Sequence, residues 1–136
     1  MRYETRIAVV IRDELETWQK LNVASFLSGG LVGQHPELPG EPYLDATGQR
    51  YGPLVRRPIL VFVATGSELA RCLRRSLDRG LLPSIYTRDL FSTSHDAANR
   101  AAVAAVVTAD LDLVGLAIHG DRKVVDKAID GLKLHP

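Results

Sequence analysis

A polar stretch, residues 84–96, follows directly on a short apolar strand pattern. Ile85 and Tyr86 suit a buried strand, and the charged pair Arg88–Asp89 comes where such a strand would end. Ligands of open α/β sheets bind beside strand ends, so chemistry is expected here. A carboxylate next to an arginine stays ionised and can accept a proton from water, which makes Asp89 a candidate general base. The alternative is an Arg88–Asp89 ion pair that only fixes the turn.

Two further polar residues follow, near the start of a predicted helix. Asn99 and Arg100 could face the same cleft, where an arginine would bind a phosphate or carboxylate. Packing against the sheet is an equal alternative. The serines near these residues lack the strand–turn–helix context of a nucleophile, which disfavours covalent catalysis. The four histidines show no metal-ligand spacing, so neither a metal nor another cofactor is predicted: His35, His95, His119 and His135.

Size and composition limit the classes of protein that fit. With 136 residues, 46% of them apolar, we expect one domain over residues 1–136. The net charge of +1 does not suggest strong non-specific nucleic-acid binding. Cys72 is the one cysteine, so no internal disulfide can form, and no apolar run predicts a signal peptide or a spanning helix. We therefore expect a cytoplasmic protein that does not enter membranes.

The elements that would position these polar residues alternate between strands and helices. Four apolar runs are typical of strands, at residues 7–11, 59–64, 82–87 and 113–118. Helices are predicted from about 13 to 31, after a capping box at Thr65–Glu68, from 96 to 107, and after Asp121. For the first helix, a start near Asp13 and a later start capped by Asn22 both stay open. The alternation predicts a three-layer α/β/α sandwich around a four-stranded sheet.

Residues 34–57 form a Pro/Gly-rich excursion without a long periodic pattern. Within it, residues 43–51 have two short arms around Asp-x-x-Gly, which predicts a hairpin with a positive φ at Gly48. A loop of this length in a compact domain is typically a lid, a binding loop or a partner contact. A surface flap without function is the alternative.

Several short strings resemble the type II peptidyl-tRNA hydrolases of archaea and eukaryotes. They are residues 7–13 (IAVVIRD), 20–31 (KLNVASFLSGGL) and 85–93 (IYTRDLFST), with weaker likeness at 67–83 and 116–134. The whole pattern is still more similar to a bacterial family of that superfamily, known as domain of unknown function 2000. The resemblance implies a mixed four-stranded sheet flanked by helices, and a homodimer.

The resemblance also implies a site. In the hydrolases a lysine on the first helix, the aspartate after the Arg-Asp strand and a nearby threonine surround the ester that joins peptide to tRNA. Asp89 and Thr93 match, whereas Asn22 stands at the lysine position. Lys20 could substitute only if the helix began after it, because two residues turn a helical side chain by about 200°. Arg88 is also in place, and with Ser92, Asn99 and Arg100 it forms the predicted set of substrate-binding residues.

Three functions stay open at this point. The first is a hydrolase that cleaves an ester, such as a tRNA-linked one, through water activated by Asp89. The presence of Asn22 instead of lysine argues against this function, because loss of one oxyanion donor typically costs ~2.7–4 kcal/mol of transition-state stabilisation. The second is a non-catalytic homodimeric module that binds a small anionic or nucleotide-like ligand through Arg88 and Arg100. The third is a purely structural homodimer.

Overall fold

The computed structural model describes residues 3–136 as an α/β protein with four α-helices, a five-stranded sheet and a small hairpin. No helix in this range is both long and apolar enough to cross a membrane. Short 3-10 helices lie at Arg88–Ser92 and Thr108–Asp110. In chain order the elements are β1 (Thr5–Arg12), α1 (Thr17–Gln34), β2 (Tyr43–Leu44), β3 (Arg50–Tyr51), β4 (Ile59–Ala64), α2 (Gly66–Asp78), β5 (Ser84–Thr87), α3 (Asp96–Ala104), β6 (Leu113–Asp121), α4 (Arg122–Ala128) and β7 (Lys133–Leu134).

The main sheet has the strand order β5-β6-β1-β4-β7, with β1 at its centre. β1 runs parallel to β4 and antiparallel to β6, so that Ile7 pairs with Ile59 on one side and with His119 on the other. Alternate residues of β1 enter two separate cores, because successive side chains of a strand point to opposite faces. Ala8 and Val10 pack with residues of α2 and α4, whereas the odd-numbered residues pack with α1. Helices therefore cover both faces of the sheet.

The predicted α/β class is confirmed, but the predicted count of four strands is wrong. The additional strand is β7, which pairs antiparallel with β4 through Phe62–Leu134 and Val63–Lys133. A strand of two exposed residues has neither an apolar run nor an alternation by which a sequence pattern could reveal it. β7 covers part of the outer edge of β4.

The capping predictions for the helices were partly correct. α2 begins with the predicted capping box, in which Thr65 N–H donates to the Glu68 carboxylate at 2.9 Å. α4 is capped by Asp121, as predicted. α1 begins at Thr17 behind a box formed by Glu16 and Gln19, so both proposed starts, near Asp13 and at Asn22, are wrong. α3 begins at Asp96, where its start was predicted, and is capped by His95.

The hairpin predicted within residues 43–51 is confirmed. Tyr43 pairs with Tyr51, and Gly48 takes the expected positive φ of 88°. Asp45 organises the turn, because its carboxylate accepts hydrogen bonds from Thr47, from the Gln49 backbone and from the Tyr51 hydroxyl at 2.8 Å. These bonds, the one from the Thr47 side chain foremost, lower the pKa of Asp45 to about 2.

α1 lies very close to the sheet at one point, where it crosses Gly115 of β6. A Cβ added to Gly115 would lie 2.4 Å from Cγ1 of Val23 and 2.8 Å from Cδ1 of Leu27. Such distances are far below van der Waals contact, so only glycine allows this approach. Gly115 therefore sets the height of α1 above β6, and with it the position of α1 beside β5.

Candidate functional site

A groove of about 620 Å³ lies where α1, β5 and α3 meet. Its volume falls within the range of small-molecule sites. The apolar walls come mainly from Phe26 and Leu27 of α1 and from Ile85 and Tyr86 of β5. α3 supplies most of the polar lining, with Asp96, Asn99 and Arg100, and β5 adds Ser84.

Aromatic rings connect α1 to β5 and to the 3-10 helix that follows β5. The ring centroids of Phe26 and Tyr86 are 6.1 Å apart, those of Tyr86 and Phe91 are 5.2 Å apart, and those of Trp18 and Phe91 are 6.0 Å apart. Phe26 nevertheless keeps 64% of its surface exposed. Burial raises the pKa of the Tyr86 hydroxyl, which therefore stays neutral at pH 7. The groove offers exposed aromatic surface beside a neutral phenol.

Asn22 lies on the same face of α1 as these rings. Residues four apart on a helix are neighbours, and Trp18, Asn22 and Phe26 follow this spacing. The Asn22 side chain is exposed and makes no hydrogen bond within residues 3–136. Asn22 is therefore close to the groove without belonging to its lining.

Two side-chain pairs lie along α3 at the polar rim. Arg100 forms an ion pair with Asp96, and both side chains are well exposed. Thr93 Oγ1 lies 2.9 Å from the Leu90 carbonyl oxygen and also contacts Oδ1 of Asn99. Of the predicted site residues, Asn99 and Arg100 thus line the groove, and Thr93 is joined to it through Asn99.

Arg88 has other partners than those expected. Its guanidinium forms ion pairs with Glu14 and Asp112, and Arg12 pairs with the same two carboxylates. The Arg88 N–H also donates to the backbone oxygen of Asp112 at 2.9 Å. The predicted alternative of an Arg88–Asp89 pair is therefore wrong. Arg88 ties the end of β5 to the loops after β1 and before β6.

Asp89 and Ser92 lie on the exposed side of the 3-10 helix after β5. Within the described range, neither side chain makes a hydrogen bond or an ion pair, and neither lines the groove. The carboxylate of Asp89 is thus solvated, without a partner in the described range that would orient it toward a water molecule.

Lys20 is far from the groove. Because α1 begins at Thr17, Lys20 is already helical, and its Nζ lies 3.1 Å from Nε2 of His135. His135 follows β7, at the opposite edge of the sheet from β5. Four strand intervals separate these edges, which corresponds to roughly 19 Å. The condition under which Lys20 could replace the missing lysine is not met.

The aromatic walls of the groove were not predicted from the sequence. Trp18, Asn22 and Phe26 are spaced four residues apart, and this spacing could have indicated the wall on α1, because it marks a second face of that helix. That face is distinct from the buried one, which carries Val23 and Leu27.

A separate polar cluster lies at the other end of α1. The rings of His35 and His119 are edge to face, with centroids 4.5 Å apart, and Nδ1 of His35 is 3.4 Å from Oε1 of Glu37. Each of these three residues offers one nitrogen or oxygen atom as a ligand, and these three atoms all lie within 4.8 Å of one another. The histidines show no metal-ligand spacing along the sequence, yet the fold brings His35 and His119 together with Glu37.

The fold and the groove define a mixed α/β protein with a ligand-sized groove beside an edge strand of its sheet. The chain belongs to the family described as "Protein of unknown function (DUF2000)", whose model matches residues 5–136. It is similar to the solved structure of Atu0240, a protein of unknown function from Agrobacterium tumefaciens. The two share 44% identity and a TM-score of 0.96 over 99% of this chain and 100% of the other. A comparison with curated proteins found no match.

The predicted likeness to domain of unknown function 2000 is therefore confirmed at the level of family membership. The wider likeness to type II peptidyl-tRNA hydrolases stays a prediction.

Proposed function

We propose that this protein binds a small organic molecule with an aromatic or otherwise apolar body and one anionic group in the groove between α1, β5 and α3. The observation that carries the proposal is the composition of the groove. Its walls are apolar, with Phe26 and Tyr86 exposing aromatic surface, and its rim carries Arg100 and Asn99. A largely apolar pocket with a few polar groups at one side is typical of a site for such molecules.

Arg100 is the group that selects an anion. Its present partner, Asp96, is exposed, and exposed ion pairs of this kind contribute about 0–1 kcal/mol. A ligand carboxylate or phosphate can therefore compete with Asp96 for the guanidinium and gain a bidentate contact. Arg88 is less suited to this role, because Glu14 and Asp112 already occupy its guanidinium.

Ester hydrolysis is the second candidate, and one observation favours it. The Asp89 carboxylate is exposed, so water can reach it. Against it stand the distance of Lys20 from β5 and the absence of a charged donor at Asn22. A general base must also lie within hydrogen-bond reach of an oriented water, and nothing in the described chain holds Asp89 in a fixed orientation. Binding without catalysis is therefore the better-supported function.

We also propose that the protein is a homodimer that associates through α1. The outward face of this helix carries Trp18 and Leu21, each more than 60% exposed, and Lys20 is the one charged residue between Thr17 and Gln34. Large apolar side chains exposed side by side on an uncharged helix face are typical of a surface that binds a partner. An added Cβ at Gly29 or Gly33 would meet nothing, so a second helix has room to approach. A second copy offers the same uncharged face across a two-fold axis.

A ligand screen tests the main proposal. Thermal shift with aromatic carboxylates and nucleoside monophosphates, followed by calorimetry of the hits, should identify ligands that stabilise the protein. Arg100→Gln should weaken binding of a hit by about tenfold or more, because a charge-assisted contact is lost. Arg74→Gln, on α2 and outside the groove, is the matched control. If no compound stabilises the protein, or if both variants bind a hit equally, the proposal fails.

A further inference from the structure

His35, Glu37 and His119 come together from two elements that are distant in the sequence. His35 and Glu37 begin the segment that follows α1, and His119 lies near the end of β6. The carboxylate of Glu37 is 3.4 Å from the ring of His35, which in turn is packed edge to face on the ring of His119. Two imidazoles and one carboxylate form a ligand set typical of first-row transition metals.

The backbone holds the first two of these residues in place. His35 caps α1, and its N–H donates to the carbonyl oxygens of Leu31 at 3.0 Å and Val32 at 3.2 Å. Three residues on, Leu38 is fully buried in the core beneath α1. Its N–H donates to the His35 carbonyl, and its own carbonyl accepts from Arg56, both at 3.0 Å. Both ends of the turn that carries Glu37 are therefore fixed.

His119 adds an independent observation, a buried ring nitrogen without a partner in residues 3–136. It pairs with Ile7 across the sheet, and Ile7 belongs to the core that packs against α1. Its Nδ1 is buried and has no hydrogen-bond partner in the described part of the chain. Buried polar atoms are nearly always paired, and such orphans deserve an explanation. A metal ion bound by this nitrogen would satisfy its lone pair.

We propose that His35, Glu37 and His119 bind one divalent transition-metal ion, with Zn²⁺ as the reference case. Tetrahedral zinc with nitrogen and oxygen ligands at about 2.0–2.2 Å requires ligand atoms roughly 3.3 Å apart. The 3.4 Å between His35 and Glu37 already meets this requirement, and the upper limit of 4.8 Å for the cluster requires only small side-chain movements. Mg²⁺ and Ca²⁺ are disfavoured, because imidazole is a poor ligand for them.

Three protein ligands leave a fourth coordination position open to water or a small anion. Glu37, with 57% of its side chain exposed, faces solvent, so the ion has a path of entry. Bound metal would join the start of the 34–57 excursion to β6. The site lies on the α1 face of the sheet but shares no residue with the lining of the groove, so it stands independently of the proposed ligand-binding function.

The test uses tag-free protein that has been stripped with a chelator. We expect titration with ZnCl₂ to give one ion per chain by calorimetry and by elemental analysis after dialysis, and Co²⁺ to give a visible spectrum of low coordination number. Glu37→Gln changes an exposed side chain and should leave the fold intact while weakening Zn²⁺ binding at least about tenfold. His35→Ala should do the same.

Two control variants should bind Zn²⁺ as the wild type does. Glu41→Gln removes a nearby carboxylate of the same excursion, and His135→Ala removes a histidine outside the cluster. The proposal is overturned if the wild type retains no stoichiometric Zn²⁺, or if Glu37→Gln and His35→Ala bind as tightly as the wild type. It is also overturned if His135→Ala loses binding, since the ion would then be held by a surface histidine elsewhere.

Discussion

Phe26 of α1 and Tyr86 of β5 both line the groove, and their ring centroids are 6.1 Å apart with the ring planes inclined at 51°. The contact joins a helix to an edge strand that otherwise pairs only with β6. The aromatic wall of the groove therefore depends on how α1 packs against the sheet.

Phe26→Ala should weaken binding of a groove ligand by about tenfold while changing the stability of the protein by less than about 1 kcal/mol. The ring contributes aromatic contact to a ligand, worth about 0.5–1.5 kcal/mol beyond its area, but with 64% of its surface exposed it contributes little to the core. Calorimetry and thermal unfolding separate the two effects. Leu82→Ala, at a similarly exposed position outside the groove, should change neither.

The variant Asp89→Ala tests whether the protein is a hydrolase or a binding protein without catalytic activity. We expect wild type and variant to release peptide from peptidyl-tRNA at the same background rate, because Asp89 has no oriented partner. The two proteins should also unfold at the same temperature, because the side chain is exposed. A general base typically contributes 10²–10⁴-fold. A wild-type rate above background that falls by about that factor in the variant would establish the hydrolase instead.

Gly115→Ala should destabilise the protein by about 1–3 kcal/mol, the usual cost of overpacking a filled core. The new methyl would overlap the side chains of Val23 and Leu27 and push α1 away from β6. Denaturant unfolding measures the loss. Gly52→Ala is the matched control, because a Cβ there would meet nothing within 4 Å. Equal stability of the two variants would show that α1 can shift freely.

The hairpin turn should depend on the ionisation of Asp45. Hydrogen bonds from the Thr47 side chain, the Tyr51 hydroxyl and the Gln49 backbone hold its pKa at about 2, below the usual 3.8. Because the carboxyl pKa is lowered in the folded protein, the ionised Asp45 stabilises the hairpin fully above about pH 4. This stabilisation is lost as the pH falls toward 2. NMR titration of the carboxyl should show this pKa.

Two variants rank the contributions to that pKa. Thr47→Ala should raise the pKa of Asp45 more than Tyr51→Phe does, because the Thr47 side chain has the larger effect. The reverse order would mean that the tyrosine hydroxyl, rather than the turn itself, holds the carboxylate.

Leu21→Glu should convert the dimer to a monomer without unfolding it. Leu21 is 65% exposed on the outward face of α1, and a charge there would have to be desolvated in the interface. Light scattering after size exclusion measures the mass. Leu54→Glu, an equally exposed position in the excursion, should remain dimeric. If the wild type is monomeric at every concentration, the proposed homodimer is wrong.

The parts of the fold that could be predicted were those encoded locally. The capping box of Thr65 and Glu68, the Asp121 cap and the turn at Gly48 each need only a few neighbouring residues, and all were predicted correctly. The strand β7 was missed, because two exposed residues form a strand only where the edge of β4 offers hydrogen-bond partners.

The site was predicted less well, because it depends on contacts between distant parts of the chain. Asn99 and Arg100 line the groove, which is one of the two alternatives that the sequence left open, whereas the partners of Arg88 come from loops far from it in the sequence. The pairing of His35 with His119 follows from the antiparallel register of β6, which no local spacing reveals.

The sheet topology also pairs the central strand with strands that come much later in the chain. β1 is made first, yet of its two neighbours β4 begins at residue 59 and β6 at residue 113. The central strand therefore keeps one apolar edge unpaired until most of the chain has been synthesised. Pairings between strands so distant in sequence slow folding and expose aggregation-prone edges meanwhile. We therefore expect slow refolding for a chain of this size, and a need for chaperone protection of β1 during synthesis.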